Sequence, residues 1–168
     1  MQDEVKKDQQ STDSEWSLPE SIIDGVLFKE TKNIITGNGT TSEGYREDWN
    51  LHSDPIKQII QVTLRPGAIS AWHMHRLQKD HVFVILGTFK LAMYDGRPQS
   101  PTFQKLEVRN LSNLRPGALV IPPGIWHGFK NLSHQESIFI NYFDRAYQYS
   151  DPDEYRLPPD TTEIPFTF

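Results

Sequence analysis

Two glycine-bracketed segments constrain this chain most: residues 67–87, with His73, His75 and Asp80, and residues 117–131, with His127. Around them the apolar residues come in short runs cut by Pro/Gly turns, and no stretch repeats at the 3.6 spacing of a helix. Such a chain has to stack strands. Residues two apart on a strand point to one face, so His73 and His75 aim at one point. Three imidazoles and a carboxylate suit a borderline divalent metal such as Fe, Mn, Ni, Co, Cu or Zn. An isolated His-x-His pair is more often two exposed or core side chains. The flanking glycines, Asp80 and the second segment favour a metal held by His73, His75, Asp80 and His127.

Strands are expected at residues 25–30, 59–64, 80–86, 88–94, 103–108, 118–121 and 137–143. Residues 32–50 read as loops or an edge hairpin. The run 80–86 is apolar almost throughout, which implies burial on both faces, the outer one beneath a partner sheet in a homodimer. Many short strands with Pro/Gly turns indicate an all-β sandwich or barrel. Four prolines in residues 151–168 (Pro152, Pro158, Pro159 and Pro165) exclude a long helix there. That segment is expected as an extended arm or short helical turn across the barrel. Residues 1–15 offer almost nothing to bury and are expected as a disordered tail ahead of a single domain, 16–168. His81 should face away from Asp80, in the core or at an interface. His52 and His134 read as solvated, and Arg97 as a structural residue of the turn at 95–98.

The formal net charge of −5 argues against a general nucleic-acid binder. The absence of cysteine excludes disulfides, thiolate metal sites and a Cys nucleophile. No apolar run approaches the roughly 20 residues of a membrane span, and the polar start lacks the apolar centre of a signal peptide. A soluble, cytoplasmic protein is expected.

The two segments resemble the paired motifs of the cupin superfamily. Gly67, His73, His75, Asp80 and Gly87 match the first, with Asp in place of Glu; Gly117, Pro122, Gly124, His127 and Asn131 match the second. The implied fold is a cupin jelly-roll barrel with irregular N- and C-terminal arms. Over roughly residues 25–168 the chain also resembles the dTDP-4-dehydrorhamnose 3,5-epimerase family, above all at residues 94–103 and 121–129. That resemblance implies proton abstraction beside a keto group by His73, an orienting Asp160, and an acid supplied by Tyr147 or Tyr149. It also implies a homodimer and a carbohydrate substrate. The sequence departs from the family at three cations: its lysine falls on Asp80, and two arginines fall on Ser70 and Asn38. Its glutamine two places after the histidine is His75 here, which makes a metal set more complete. The leading expectation is an isomerase acting on a sugar or sugar nucleotide with a metal at the site. The alternatives are an Fe(II)-type cupin oxygenase and a non-catalytic ligand-binding cupin.

Overall fold

The computed structural model describes residues 12–51 and 54–168; residues 1–11 of the expected tail, and His52, lie outside the described residues. At the start of the described chain the Asp13 carboxylate accepts the backbone N–H groups of Glu15 and Ser17, at 3.0 and 2.8 Å.

The strands are β1 (Leu27–Glu30), β2 (Ile34–Thr36), β3 (Gly39–Thr41), β4 (Gln58–Leu64), β5 (Ile69–Met74), β6 (Asp80–Leu86), β7 (Thr88–Asp95), β8 (Leu106–Ser112), β9 (Gly117–Ile121), β10 (Ile125–Asn131), β11 (Ser137–Phe143) and β12 (Tyr155–Arg156). They form a sheet ordered β1-β9-β6-β11-β4, a second ordered β12-β5-β10-β7-β8, and the small hairpin β2-β3. All pairings are antiparallel, and the two large sheets carry the all-β jelly-roll arrangement expected from the sequence. Among the described residues the only helical element is a 3₁₀ turn at Glu47–Trp49. None of their helices is long and apolar enough to cross a membrane.

Strand alternation sends Val82, Val84, Phe89, Leu91, Met93, Leu119, Phe129 and Phe139 into one core between the sheets. A second cluster lies outside it, where Trp72 packs against Ile164, Phe166 and Phe168 of the C-terminal arm. The arm is held by β12, which pairs Tyr155 with Met74 and Arg156 with His73. Gly87 turns β6 into β7 at φ 84°, where a Cβ would meet Ser137 Oγ at 2.0 Å. Only glycine satisfies both constraints.

Two expectations need adjustment. The strand placed at 103–108 begins at Leu106 and runs to Ser112. The reason is a turn built on Asp95: its carbonyl accepts Gln104 N–H (2.9 Å), its carboxylate accepts the Ser100 and Thr102 hydroxyls, and Gln104 takes a left-handed φ of 64°. In β6 the outer face at Phe83 is covered from within the chain, since a Cβ on Gly44 would meet the Phe83 ring at 2.9 Å. Past that cover the strand emerges, with Ile85 43% exposed.

One irregularity places the site. Between β5 and β10 the register passes from His127↔His73 to Phe129↔Ser70, so Ala71 and Trp72 together oppose Gly128. This bulge resets the alternation. Ser70 and His73, three residues apart, thereby line the same cavity.

Candidate active site

A cavity of about 230 Å³ opens between the sheets. The β5/β10 wall brings Ser70, His73, His75, His127 and Phe129; the β4/β6/β11 wall brings Ile60, Val62, Asp80, Phe139, Asn141 and Phe143. The C-terminal arm adds Glu154 and Arg156.

The histidines divide into two arrangements. His73 donates through Nδ1 to the Glu154 carboxylate (3.1 Å), which leaves Nε2 to accept the Ser70 hydroxyl (3.0 Å). Glu154 Oε1 also accepts from Arg156 at 2.5 Å. Burial, then repulsion from nearby His127, lowers the His73 pKa to about 4, with Glu154 pulling the other way. The imidazole is therefore neutral near pH 7.

His75 and His127 turn their Nε2 atoms to the same oxygen, Asp80 Oδ2, at 3.6 and 3.1 Å. Each spends Nδ1 on a backbone carbonyl: His75 on Asp153, and His127 on Ile125 at 3.1 Å. Asp80 Oδ1 accepts the Gln78 amide at 3.0 Å. Burial opposes the charge on Asp80, but hydrogen bonds from His127 and His75 hold its pKa well below the usual carboxylate range. Burial likewise opposes protonation of His75, yet Asp80 and Asp153 push it up to about 9. The Asp153 carboxylate also accepts the backbone N–H groups of Arg76, Leu77 and Gln78 at 2.8–2.9 Å. The arm thus shapes the loop between His75 and Asp80.

The ligand atoms of His75, Asp80 and His127 lie within 4.8 Å of one another. With Nδ1 of each ring committed to a backbone carbonyl, the two Nε2 atoms and the hydrogen-bonded carboxylate form a donor set of the kind metals take on displacing the His75 proton. The structure brings three of the four expected ligands together. His73 lies outside that group, with its ring nitrogens facing Ser70 and Glu154.

Two further expected site residues lie away from the cavity. Asp160 is exposed, and the carboxylate on His73 Nδ1 is Glu154. Tyr147 lies outside the cavity lining, 40% exposed and edge-on to Tyr149 at 5.2 Å. Among the described residues, no tyrosine lines the histidine cavity. Sequence reasoning missed Ser70 as a partner of His73, and it missed Glu154, Asp153, Gln78 and Asn141. Only Gln78, two residues before Asp80 at the start of a strand, carried a local signal.

The fold and the cavity define a cupin-like jelly-roll protein whose acid–base side chains converge between two sheets. The sequence profile of the dTDP-4-dehydrorhamnose 3,5-epimerase family matches residues 20–167, and the chain belongs to that family. It is an isomerase of the epimerase type. The chain is 36% identical over 140 residues to a probable low-salt glycan biosynthesis epimerase, Agl13, of Haloferax volcanii, covering 82% of this chain and 89% of that protein. It is 31% identical over 147 residues to the spore coat polysaccharide biosynthesis protein SpsL of Bacillus subtilis, covering 88% and 97%. Among solved structures, a dTDP sugar isomerase from Desulfovibrio desulfuricans superposes with a TM-score of 0.80 at 27% identity, over 86% of this chain and 91% of that one.

Proposed function

We propose that the protein removes a proton from the carbon beside the carbonyl of a nucleotide-linked keto sugar and returns one to the opposite face, inverting that centre. The observation that carries this reading is the His73 dyad. Nδ1 is fixed on Glu154, so the lone pair of Nε2 faces the cavity as the proton acceptor. In the forward step the C–H bond breaks, its electron pair enters the enolate, and the proton goes to His73 Nε2; the enolate carbon then takes a proton from solvent on its opposite face, and His73 returns its own proton to solvent. The Ser70 hydroxyl holds Nε2 in the free enzyme and turns away as substrate enters. Glu154 keeps the tautomer and balances the imidazolium that forms.

The cavity volume fits a single sugar ring, so the nucleotide lies outside it, toward the mouth. Arg156, with its side chain 60% exposed, supplies a cation there. That partly offsets the family arginines replaced by Ser70 and Asn38. A divalent metal held by His75, Asp80 and His127 would polarise the carbonyl as a Lewis acid. The reading also takes the protein as a homodimer. It is supported by Ile35 and Leu114, 81% and 82% exposed, bordering a groove of about 530 Å³ beside Ile85.

Incubation of a 4-keto sugar nucleotide in heavy water tests the reaction. Deuterium is expected at a carbon flanking the carbonyl, followed by magnetic resonance, and His73→Asn should reduce its entry by about a thousandfold or more. A wild-type protein inert toward keto sugars with and without a nucleotide would overturn the proposal.

A further inference from the structure

The cavity has one hydrogen-bonding side chain that the proposed chemistry does not use. Asn141 lies on β11, directly across from Ile60 of β4 and Val82 of β6. It is buried, 7% exposed, and lines the cavity on the wall opposite His73. Its neighbours on that wall are apolar (Ile60, Val62, Phe139 and Phe143), apart from Asp80, which is occupied by Gln78 and the two imidazoles.

The amide orientation is fixed by chemistry. The backbone N–H of His81 donates to Asn141 at 3.0 Å, and only the amide oxygen can accept it. Nδ2 therefore occupies the other position. Among the described residues it has no hydrogen-bond partner, and it is not one of the polar atoms closed off from solvent, so it is an open donor on the cavity wall. The side chain has two anchorages: Oδ1 ties β11 to β6, and Nδ2 is left as a donor at the cavity wall.

We infer that Asn141 is a substrate-anchoring residue: its amide donates to a hydroxyl or carbonyl oxygen of the sugar and so decides which face of the ring turns toward His73. The inference rests on the epimerase reading and deepens it. A donor on an otherwise apolar wall gives a ring one polar foothold there. Without it, the sugar presents either face to the base on the far wall. Proton abstraction then falls, and the protons that do exchange are less often delivered with inversion.

Asn141→Asp separates this role from a structural one. The aspartate keeps the oxygen that accepts His81 N–H and removes the amide donor. Expected are a loss of kcat/KM of roughly 10- to 100-fold, a smaller share of inverted product per deuterium incorporated, and a melting temperature near that of the wild type. Asn141→Ser, whose hydroxyl both accepts and donates, should recover part of the rate despite its shorter reach. Wild-type kcat/KM in Asn141→Asp would overturn the inference. So would a loss in both variants that tracks a matching fall in melting temperature, since the residue would then only hold β6. A wild-type protein without exchange removes the epimerase reading and this inference together, whereas exchange with a silent Asn141→Asp removes the inference alone.

Discussion

Two buried aspartates, Asp80 and Asp95, sit 2% and 0% exposed in the same small protein, and both are held in the charged form. Their neutralisation differs. Asp95 is met within seven residues of itself: Arg97 donates through its backbone N–H, Nε and Nη2 at 2.7–3.0 Å, and Ser100 and Thr102 donate at 2.6 and 2.7 Å. A permanent cation and two hydroxyls saturate it, and the result is a knot that ties the turn after β7. Asp80 instead receives one amide from its own strand approach and two imidazoles, His127 from the opposite sheet and His75 from just past the end of β5. Its partners carry charge only when a proton or a metal supplies it. A carboxylate saturated locally by fixed donors is structural. One whose partners titrate and come from across the core is equipped to exchange something.

Replacement tests that contrast. Asp80→Ala has the largest expected effect on the site: metal affinity, read by calorimetry with Zn²⁺ or Co²⁺ and by elemental analysis of untagged protein, should fall more than about a hundredfold. Retained binding at wild-type strength would mean that the two imidazoles do not share a ligand set with Asp80. Asp95→Asn should leave metal binding unchanged while strongly lowering stability. Removing one member of a buried ion pair costs about 3 kcal/mol, or roughly 10 °C in Tm for a domain of this size.

The pH dependence has a definite sign. Burial opposes the charge on Asp95, but Arg97, Ser100 and Thr102 outweigh it and depress its folded pKa. The unfolded chain therefore takes up this proton first, at an ordinary aspartate pKa of about 4. The stabilisation is fully present above that value and disappears as pH falls through the depressed folded one. Acid unfolding followed by circular dichroism should show a shallower loss below about pH 4 in Asp95→Asn than in the wild type. Gln78→Leu is the mildest change. Losing the amide on Asp80 Oδ1 should weaken metal binding by about tenfold without affecting Asp95.

The same contrast explains what the sequence made legible. Histidines at strand spacing, two glycine-bracketed segments and short apolar runs identified His75, Asp80 and His127 as companions and the fold as all-β. Arg97 was readable as structural because it sits in the turn that it ties to Asp95, although it also reaches the distant Asp24 carbonyl. What stayed hidden depends on contacts with no sequence proximity. Glu154 and Asp153 reach His73 and His75 across 81 and 78 residues. The resemblance pointed to Asp160 instead, because an arm's path is set by packing, here by Ile164, Phe166 and Phe168 around Trp72. Ser70 was hidden by the bulge: strict alternation puts positions three apart on opposite faces, and the extra residue in β5 reverses that. The apolar run of β6 was rightly read as buried on both sides over its first part, though the cover at Phe83 comes from the segment around Gly44 of the same chain.

The C-terminal arm also imposes a timetable. On the ribosome, β5 with His73 and His75 emerges long before Asp153 and Glu154, the residues that fix the tautomers of those two rings. Until the arm is synthesised and laid beside β5, the imidazoles have neither their final proton positions nor their shaped loop. A chain that ends before the arm contains the residues of β1 to β11 but not the groups that hold the two rings. In the epimerase reading proposed above, a chain that ends before residue 153 is therefore expected to be inert.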